Sequence, residues 1–227
     1  KIVNESLERL LDLIFETDGA LKDAPEQFNE SEHHLFALEC ARESAVLLKN
    51  EKSALPLTKK ERVCVVGDFA CKPRYQGAGS SVVNPTRLDS VLGCIKEYPL
   101  QYVGYAQGYE RYGKKNQKLR KKAVTLAESA DTILYFVGLD EVSEAEGIDR
   151  RDMKLPQNQL EVLTELTRLG KKVVAVLVGG SAVEFGALEQ SDAILYACLG
   201  GQAGARAILD ILTGKINPSG KLAESFP

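Results

Sequence analysis

The sequence is poor in the residue types that build many metal centres and hydrolytic triads. Its 227 residues include no tryptophan, one methionine and two histidines, His33 and His34, which are adjacent. With so few imidazole side chains, a histidine-rich metal site or a Ser-His-Asp triad is improbable. We therefore expect neither a metal ion nor a cofactor.

Cysteine pairs in a disulfide pattern are also missing. The five cysteines are odd in number, and their spacing fits neither a zinc ribbon nor a paired disulfide framework. Cys64 and Cys198 lie inside apolar runs, where a buried thiol behaves as a small hydrophobic group. Free thiols favour a reducing compartment, so we predict a cytoplasmic location.

Long hydrophobic runs and an excess of positive charge are absent as well. No apolar run approaches the roughly 18 residues that a membrane helix requires. The net charge of −3 argues against nucleic acid as a partner. One basic run, 111–122, has no alternating aromatic residues and is typical of a solvated loop and first helical turn. We expect neither membrane nor nucleic acid as a partner.

What the sequence does contain is a regular succession of helical patterns and short apolar runs. Helical spacing predicts helices over 3–15 and 31–48, and then over 86–98, where Thr86 and Asp89 form a capping box. Further helices are predicted over 117–130, 156–169 and 201–212. Between them lie uninterrupted Val/Ile/Leu-rich runs that begin at residues 63, 102, 133, 173 and 193.

Uninterrupted apolar runs are typical of parallel strands that are buried on both faces. The sequence thus predicts an α/β fold, a three-layer sandwich with a mostly parallel, doubly wound sheet of about five to six strands. We assign 1–25 to a linker helix and 26–227 to the sandwich domain. Because the chain begins at a lysine inside a helical pattern, we expect it to be a piece of a longer protein.

Two unusual loops follow predicted strands, at 68–86 and 138–156. In an open parallel sheet, ligands bind at the carboxyl ends of the strands, where such loops lie. The second loop carries a cluster of acids together with Arg150 and Arg151; the acids are Glu141, Glu144, Glu146, Asp149 and Asp152. A carboxyl group with a raised pKa can donate a proton at neutral pH. From spacing alone, a solvated surface loop is an equally good interpretation.

A nucleotide site is a weaker alternative. Gly77 and Gly79 resemble the start of a dinucleotide-binding fingerprint, but Val82 stands where its third glycine belongs. The chain also contains no phosphate-binding Walker lysine motif. A nucleotide-binding α/β domain is therefore less well supported.

Four segments resemble a known family. They are ARESAVLLKNEKSALPL at 41–57, RYQGAGSS at 74–81, GLDEVSEAEGIDRRDMKLPQNQ at 138–159 and GKINPSGKLAESFP at 214–227. Together they are similar to the second domain of family 3 glycoside hydrolases, the β-glucosidases. The resemblance implies a retaining hydrolase in which an N-terminal barrel domain supplies an aspartate nucleophile and this domain supplies the general acid/base.

The resemblance also implies roles for individual residues. Glu144, the first glutamate of the Glu-x-Glu-Gly-x-Asp-Arg pattern, is the predicted general acid/base, with a pKa raised by Glu146, by the nucleophile and by burial. Asp149 and Arg150 are expected to pair and fix the loop. Three residues of the first loop are expected to bind hydroxyl groups of the substrate: Arg74, Gln76 and Ser80.

The expected partners are therefore β-linked glucosides or related glycosides and the barrel domain of the same polypeptide. Because the nucleophile would lie on that barrel, the chain alone is predicted to be inactive. A non-catalytic carbohydrate-binding or interaction module remains an alternative, in which the acidic loop only recognises sugar hydroxyls.

Overall fold

The computed structural model describes residues 1–24 and 28–227. Its six strands are β1 (Val46–Asn50), β2 (Arg62–Val66), β3 (Gln101–Ala106), β4 (Thr132–Gly138), β5 (Lys172–Val178) and β6 (Ala193–Tyr196). Its six α-helices are α1 (Ile2–Lys22), α2 (Glu30–Ser44), α3 (Val91–Cys94), α4 (Gln117–Glu128), α5 (Gln157–Thr167) and α6 (Gly204–Leu212). Short 3₁₀ turns cover Glu51–Ser53, Asp68–Ala70, Ile95–Glu97, Gly186–Gln190 and Gly201–Ala203.

The strands form one sheet in the order β1-β6-β5-β4-β2-β3. All neighbouring pairs are parallel except β1 and β6, which are antiparallel. The central strand β4 is paired with β5 along its whole length and is buried at every residue. This arrangement confirms the predicted α/β fold with a mostly parallel sheet.

Helices cover both faces of the sheet. The hydroxyl group of Tyr135 in β4 donates a hydrogen bond to the carbonyl oxygen of Gln159 in α5, over 2.7 Å. The next residue, Phe136, lines a small apolar cavity together with Ile208 of α6. Since successive side chains of a strand point to opposite faces, α5 and α6 lie on opposite sides of the sheet. The core is therefore sandwiched between two helical layers.

One helix predicted from the sequence is longer than the helix in the structure. The pattern over 31–48 predicted a helix through Leu48, but α2 ends at Ser44 and Val46–Asn50 forms the edge strand β1. The apolar residues at 46–48 continue the helical period of α2 by coincidence. Their conformation is set by pairing with β6, which lies about 150 residues away in the chain.

The helix predicted over 86–98 is shorter and is capped differently. Ser90 accepts a hydrogen bond from the backbone N–H of Gly93 and begins α3, and a 3₁₀ turn follows it. Asp89 does not close a capping box with Thr86. Its buried carboxylate instead accepts hydrogen bonds from Arg206 and His34, because a buried charge needs partners of opposite charge or donor groups.

The described residues form two compact units, Lys1–His33 and His34–Pro227. In the first unit, α1 has no buried residue and continues through Gly19, where a break was expected. The predicted boundary between residues 25 and 26, including Pro25, lies outside the described residues, and the linker role of 1–25 stays a prediction. None of the described helices combines the length and apolar character that crossing a membrane demands.

Candidate active site

The two unusual loops leave the sheet at a switch point of the topology. Strand β3 lies on one side of β2, and β4 lies on the other. The loops that follow the neighbouring strands β2 and β4 therefore lead in opposite directions. Such a point is where open parallel sheets bind ligands. The loops contact each other directly, since the backbone N–H of Glu146 donates to the carbonyl oxygen of Ala78 over 2.9 Å.

A buried aspartate organises the start of the second loop. The side chain of Asp140 accepts hydrogen bonds from the backbone N–H groups of Val142 and Ser143, at 2.9 and 2.7 Å. Its carbonyl oxygen accepts from the N–H of Glu144 at 3.2 Å. Sequence reasoning missed Asp140, although an aspartate at the end of a strand is a usual start for such a turn.

Hydrogen bonds hold both oxygens of the Glu144 carboxylate. Its Oε1 accepts from Ser181 Oγ at 2.5 Å and from the N–H of Gly180 at 3.1 Å. Its Oε2 accepts from Arg74 Nη1 at 2.5 Å and from the same Gly180 N–H at 2.9 Å. Three donors therefore engage both oxygens of this carboxylate, with the Gly180 N–H shared between them.

This environment sets the protonation state of Glu144. Partial burial alone would raise the pKa of its carboxyl group, but the hydrogen bonds from Ser181, Gly180 and Arg74 outweigh burial and lower it. The raised pKa predicted from the sequence includes the charge of a nucleophile on the barrel domain and stays a prediction for the complete polypeptide. In this domain, Glu144 is therefore an ionised carboxylate at neutral pH.

Glu146 lies two residues further on and has a different environment. Its Oε2 accepts from the backbone N–H of Ser80 at 2.7 Å and from the Ser80 hydroxyl. These bonds lower the pKa of this exposed carboxyl group. Its other oxygen, Oε1, accepts no hydrogen bond from the described residues, so it is open to a ligand in the depression between the loops.

The three predicted substrate-binding residues make contacts within the protein. Arg74 is buried and donates to Glu144 and to the carbonyl oxygen of Leu139. Gln76 both donates to and accepts from the backbone of Val83, and Ser80 holds Glu146. Their role in sugar binding stays a prediction.

Arg150 does not use Asp149 as its partner. Its Nη1 donates to Ser181 Oγ at 2.8 Å and to the carbonyl oxygen of Ala182 at 2.7 Å. The loop is thus fixed by the segment that follows β5, not by the pair expected within it.

The remaining acids of the loop lie apart from this centre. Glu141 forms a two-pronged ion pair with Arg111, which also pairs with Asp68. Asp152 accepts from the N–H of Lys154. Across the residues that the structure describes, no group of three or more acids, histidines and cysteines is arranged to hold a metal ion.

The fold and the site define an α/β-sandwich domain that presents carboxylates at the carboxyl edge of its sheet. Residues 45–227 match the family described as "Glycosyl hydrolase family 3 C-terminal domain", and the chain belongs to that family. The family resemblance found in the sequence is confirmed.

Known relatives cover the whole chain. It is 41% identical over 232 residues to thermostable β-glucosidase B of Acetivibrio thermocellus, covering 100% of this chain and 30% of that protein. It is 34% identical to an exo-α-(1→6)-L-arabinopyranosidase of Bifidobacterium breve, covering 96% of this chain and 30% of that protein. The crystal structure of a family 3 β-glucosidase from Bifidobacterium adolescentis superimposes with a TM-score of 0.90 at 36% identity, covering 96% of this chain and 32% of the other. The chain spans 30% of the length of both curated relatives.

Proposed function

We propose that this domain belongs to a retaining β-glycosidase and supplies the general acid/base from the loop at 138–156. Support comes from membership of the family and from relatives that are named as glycosidases. β-Linked glucosides are the proposed substrates. Because a similar relative is named as an arabinopyranosidase, related glycosides stay within the proposal.

The observation that carries the proposal is the open oxygen of Glu146. A general acid must bring a protonated oxygen within hydrogen-bond reach of the leaving group. Glu146 has one oxygen held by Ser80 and the other accessible, whereas both oxygens of Glu144 are occupied. We therefore favour Glu146 as the proton donor. Glu144, the donor predicted from the sequence, is the alternative.

The donor needs a second carboxyl group that the proposal places on a barrel domain of the same polypeptide. Retaining hydrolysis requires two carboxyls about 5–5.5 Å apart. A second ionised carboxylate at that distance would raise the pKa of Glu146, because like charges disfavour ionisation. Each of the two loops also exposes apolar side chains that a covering domain would bury; they are Val82, Val83, Val142 and Ile148.

It follows that the chain alone should be inactive. Without the nucleophile, neither the covalent intermediate nor a complete sugar pocket can form. Incubation of the isolated chain with p-nitrophenyl β-glucoside should release no p-nitrophenol above the buffer rate. Robust turnover would show that the chain holds both carboxyls. The cytoplasmic location, which rests on the cysteine pattern, stays a prediction.

The test of the donor uses the full-length enzyme and two aryl β-glucosides, one with a poor and one with an activated leaving group. Glu146→Gln should lower kcat/KM for the poor leaving group by roughly 10²- to 10⁴-fold, and much less for the activated one, since only the first needs protonation. If Glu144→Gln gives this selective loss instead, Glu144 is the donor. If neither variant does, the loop does not supply the general acid.

A further inference from the structure

Glu144 joins three separate loops. It lies in the loop after β4 and accepts hydrogen bonds from Arg74 in the loop after β2. It also accepts from Gly180 and Ser181, which lie in the loop after β5. We call these four residues the three-loop clamp.

We propose that Glu144 is a positioning residue, which through the three-loop clamp fixes the segment that carries Glu146 and exchanges no proton with the substrate. The inference rests on the proposed function, namely that this loop supplies the proton donor. Glu144, which was predicted from the sequence to be the donor, thus has a separate role.

Arg74 holds the turn before Glu146. Its guanidinium donates to the carbonyl oxygens of Leu139 and Glu144, both at 2.8 Å, and to the Glu144 carboxylate. The Arg74 side chain is only 1% exposed. A neutral Glu144 would leave this buried cation without its counter-charge, which is costly in a protein interior.

A single hydroxyl group, that of Ser181, holds both ends of the segment around Glu146. Ser181 Oγ donates to Glu144 Oε1 over 2.5 Å and accepts from Arg150 Nη1 over 2.8 Å. Between these two attachments, the N–H of Ile148 donates to the carbonyl oxygen of Ala145 over 3.2 Å and closes a tight turn. The segment 144–150, which carries Glu146, is thus attached to Ser181 at both ends. We call this segment the bracket.

Misplacing a catalytic group lowers the rate of the reaction. A displacement of about 1 Å can lower a rate roughly 10²-fold without any change in the chemistry. Loss of the clamp should therefore slow the substrate with the poor leaving group, which needs protonation, and leave the alkaline limb of the pH profile in place, because the donor is displaced but still titrates. This signature differs from the loss of a proton donor.

The experiment measures kcat/KM against pH for the full-length enzyme with the same poor and activated aryl β-glucosides. Glu144→Gln should lower kcat/KM for the poor leaving group by roughly 10- to 10²-fold, affect the activated substrate less, and keep the alkaline limb of the pH profile. Ser181→Ala should give a smaller loss of the same kind, and Ser181→Thr, which keeps the hydroxyl group, should restore activity. Glu141→Gln removes an ion pair on the same loop outside the clamp and serves as the matched control, with a profile close to that of the unmodified enzyme.

Three results would overturn the inference. If Glu144→Gln abolishes the alkaline limb, Glu144 is the donor, and the proposed function survives without the clamp. If Ser181→Ala leaves the rates unchanged, the bracket does not position Glu146, even where Glu144→Gln fails to fold. If neither Glu144→Gln nor Glu146→Gln alters the alkaline limb, the proposed function itself fails.

Discussion

At the scale of single residues, the site depends on how closely the two loops approach each other. Gly79 has a φ of +121°, and its Cα faces the side chain of Glu146. A Cβ added there would lie 2.5 Å from Glu146 Cβ and 2.8 Å from its Oε2. The absence of a side chain at Gly79 therefore allows Ser80 to hold the Glu146 carboxylate.

Gly79→Ala should lower the free energy of unfolding of the chain by about 1–3 kcal/mol, because it combines a strained backbone with a steric clash. The matched control is Gly77→Ala, where the nearest heavy atom would be Ser81 Oγ at 3.9 Å. That variant should stay within about 0.5 kcal/mol of the unmodified chain. Urea unfolding of the three proteins measures the difference, and equal stability of the two variants would contradict the close approach.

At the scale of elements, one glutamate ties together the amino ends of three strands. Glu61 precedes β2 and accepts hydrogen bonds from Thr132, the first residue of β4, at 2.6 Å and from Lys172, the first residue of β5, at 2.8 Å. Burial would raise the pKa of its carboxyl group, but the bonds from Lys172, Thr132 and Thr58 outweigh burial and lower the pKa to about 2. The ionised form is the one that stabilises the sheet.

The pKa of the Glu61 carboxyl group is lower in the folded chain than its unfolded value of 4.5, so the ionised group stabilises the fold above that pH. This stabilisation is lost as the pH falls toward about 2. At pH 7, Glu61→Gln should lower the free energy of unfolding by about 1–2 kcal/mol, less than the full shift implies because the carboxylate is partly exposed. Urea unfolding between pH 7 and pH 2 should show this difference shrinking below about pH 4.5. The control Glu8→Gln, at an exposed position of α1, should change little, and a difference for Glu61→Gln that is constant with pH would refute the assignment.

Local sequence patterns predicted most of the helices and strands. They did not predict those whose conformation depends on contacts between residues far apart in the chain. The continuous apolar runs of β2 to β6 predicted buried parallel strands, because burial on both faces leaves no polar alternation. Strand β1 escaped prediction since its residues continue the helical period of α2 and only pairing with β6 makes them a strand. Asp89 was misassigned for the same reason, because its partner Arg206 lies 117 residues away.

The same limit applies to the site. The acidic loop was predictable from its position after a strand and from its family resemblance. The glutamate that keeps an oxygen without a partner was not predictable, because two of the three donors to Glu144, Gly180 and Ser181, lie 36 and 37 residues further along the chain. Spacing along the loop cannot distinguish Glu144 from Glu146, and only the folded structure separates them.

At the scale of the whole molecule, the proposed function makes this domain one half of a two-carboxyl centre. The chain covers 30% of the length of its curated relatives, and the proposal places the nucleophile on a barrel domain of the complete polypeptide. In this proposal, the acidic loop completes the centre with a proton donor, Glu146.

The most direct measurement is rescue by azide in the full-length enzyme. When the general acid/base is replaced by an amide, azide can enter beside the covalent intermediate and attack it without needing a base. With an activated aryl β-glucoside, Glu146→Gln should be accelerated by azide and yield a β-glycosyl azide, whereas Glu144→Gln should yield none. Formation of the azide adduct by Glu144→Gln and not by Glu146→Gln would contradict the assignment of Glu146 as the proton donor.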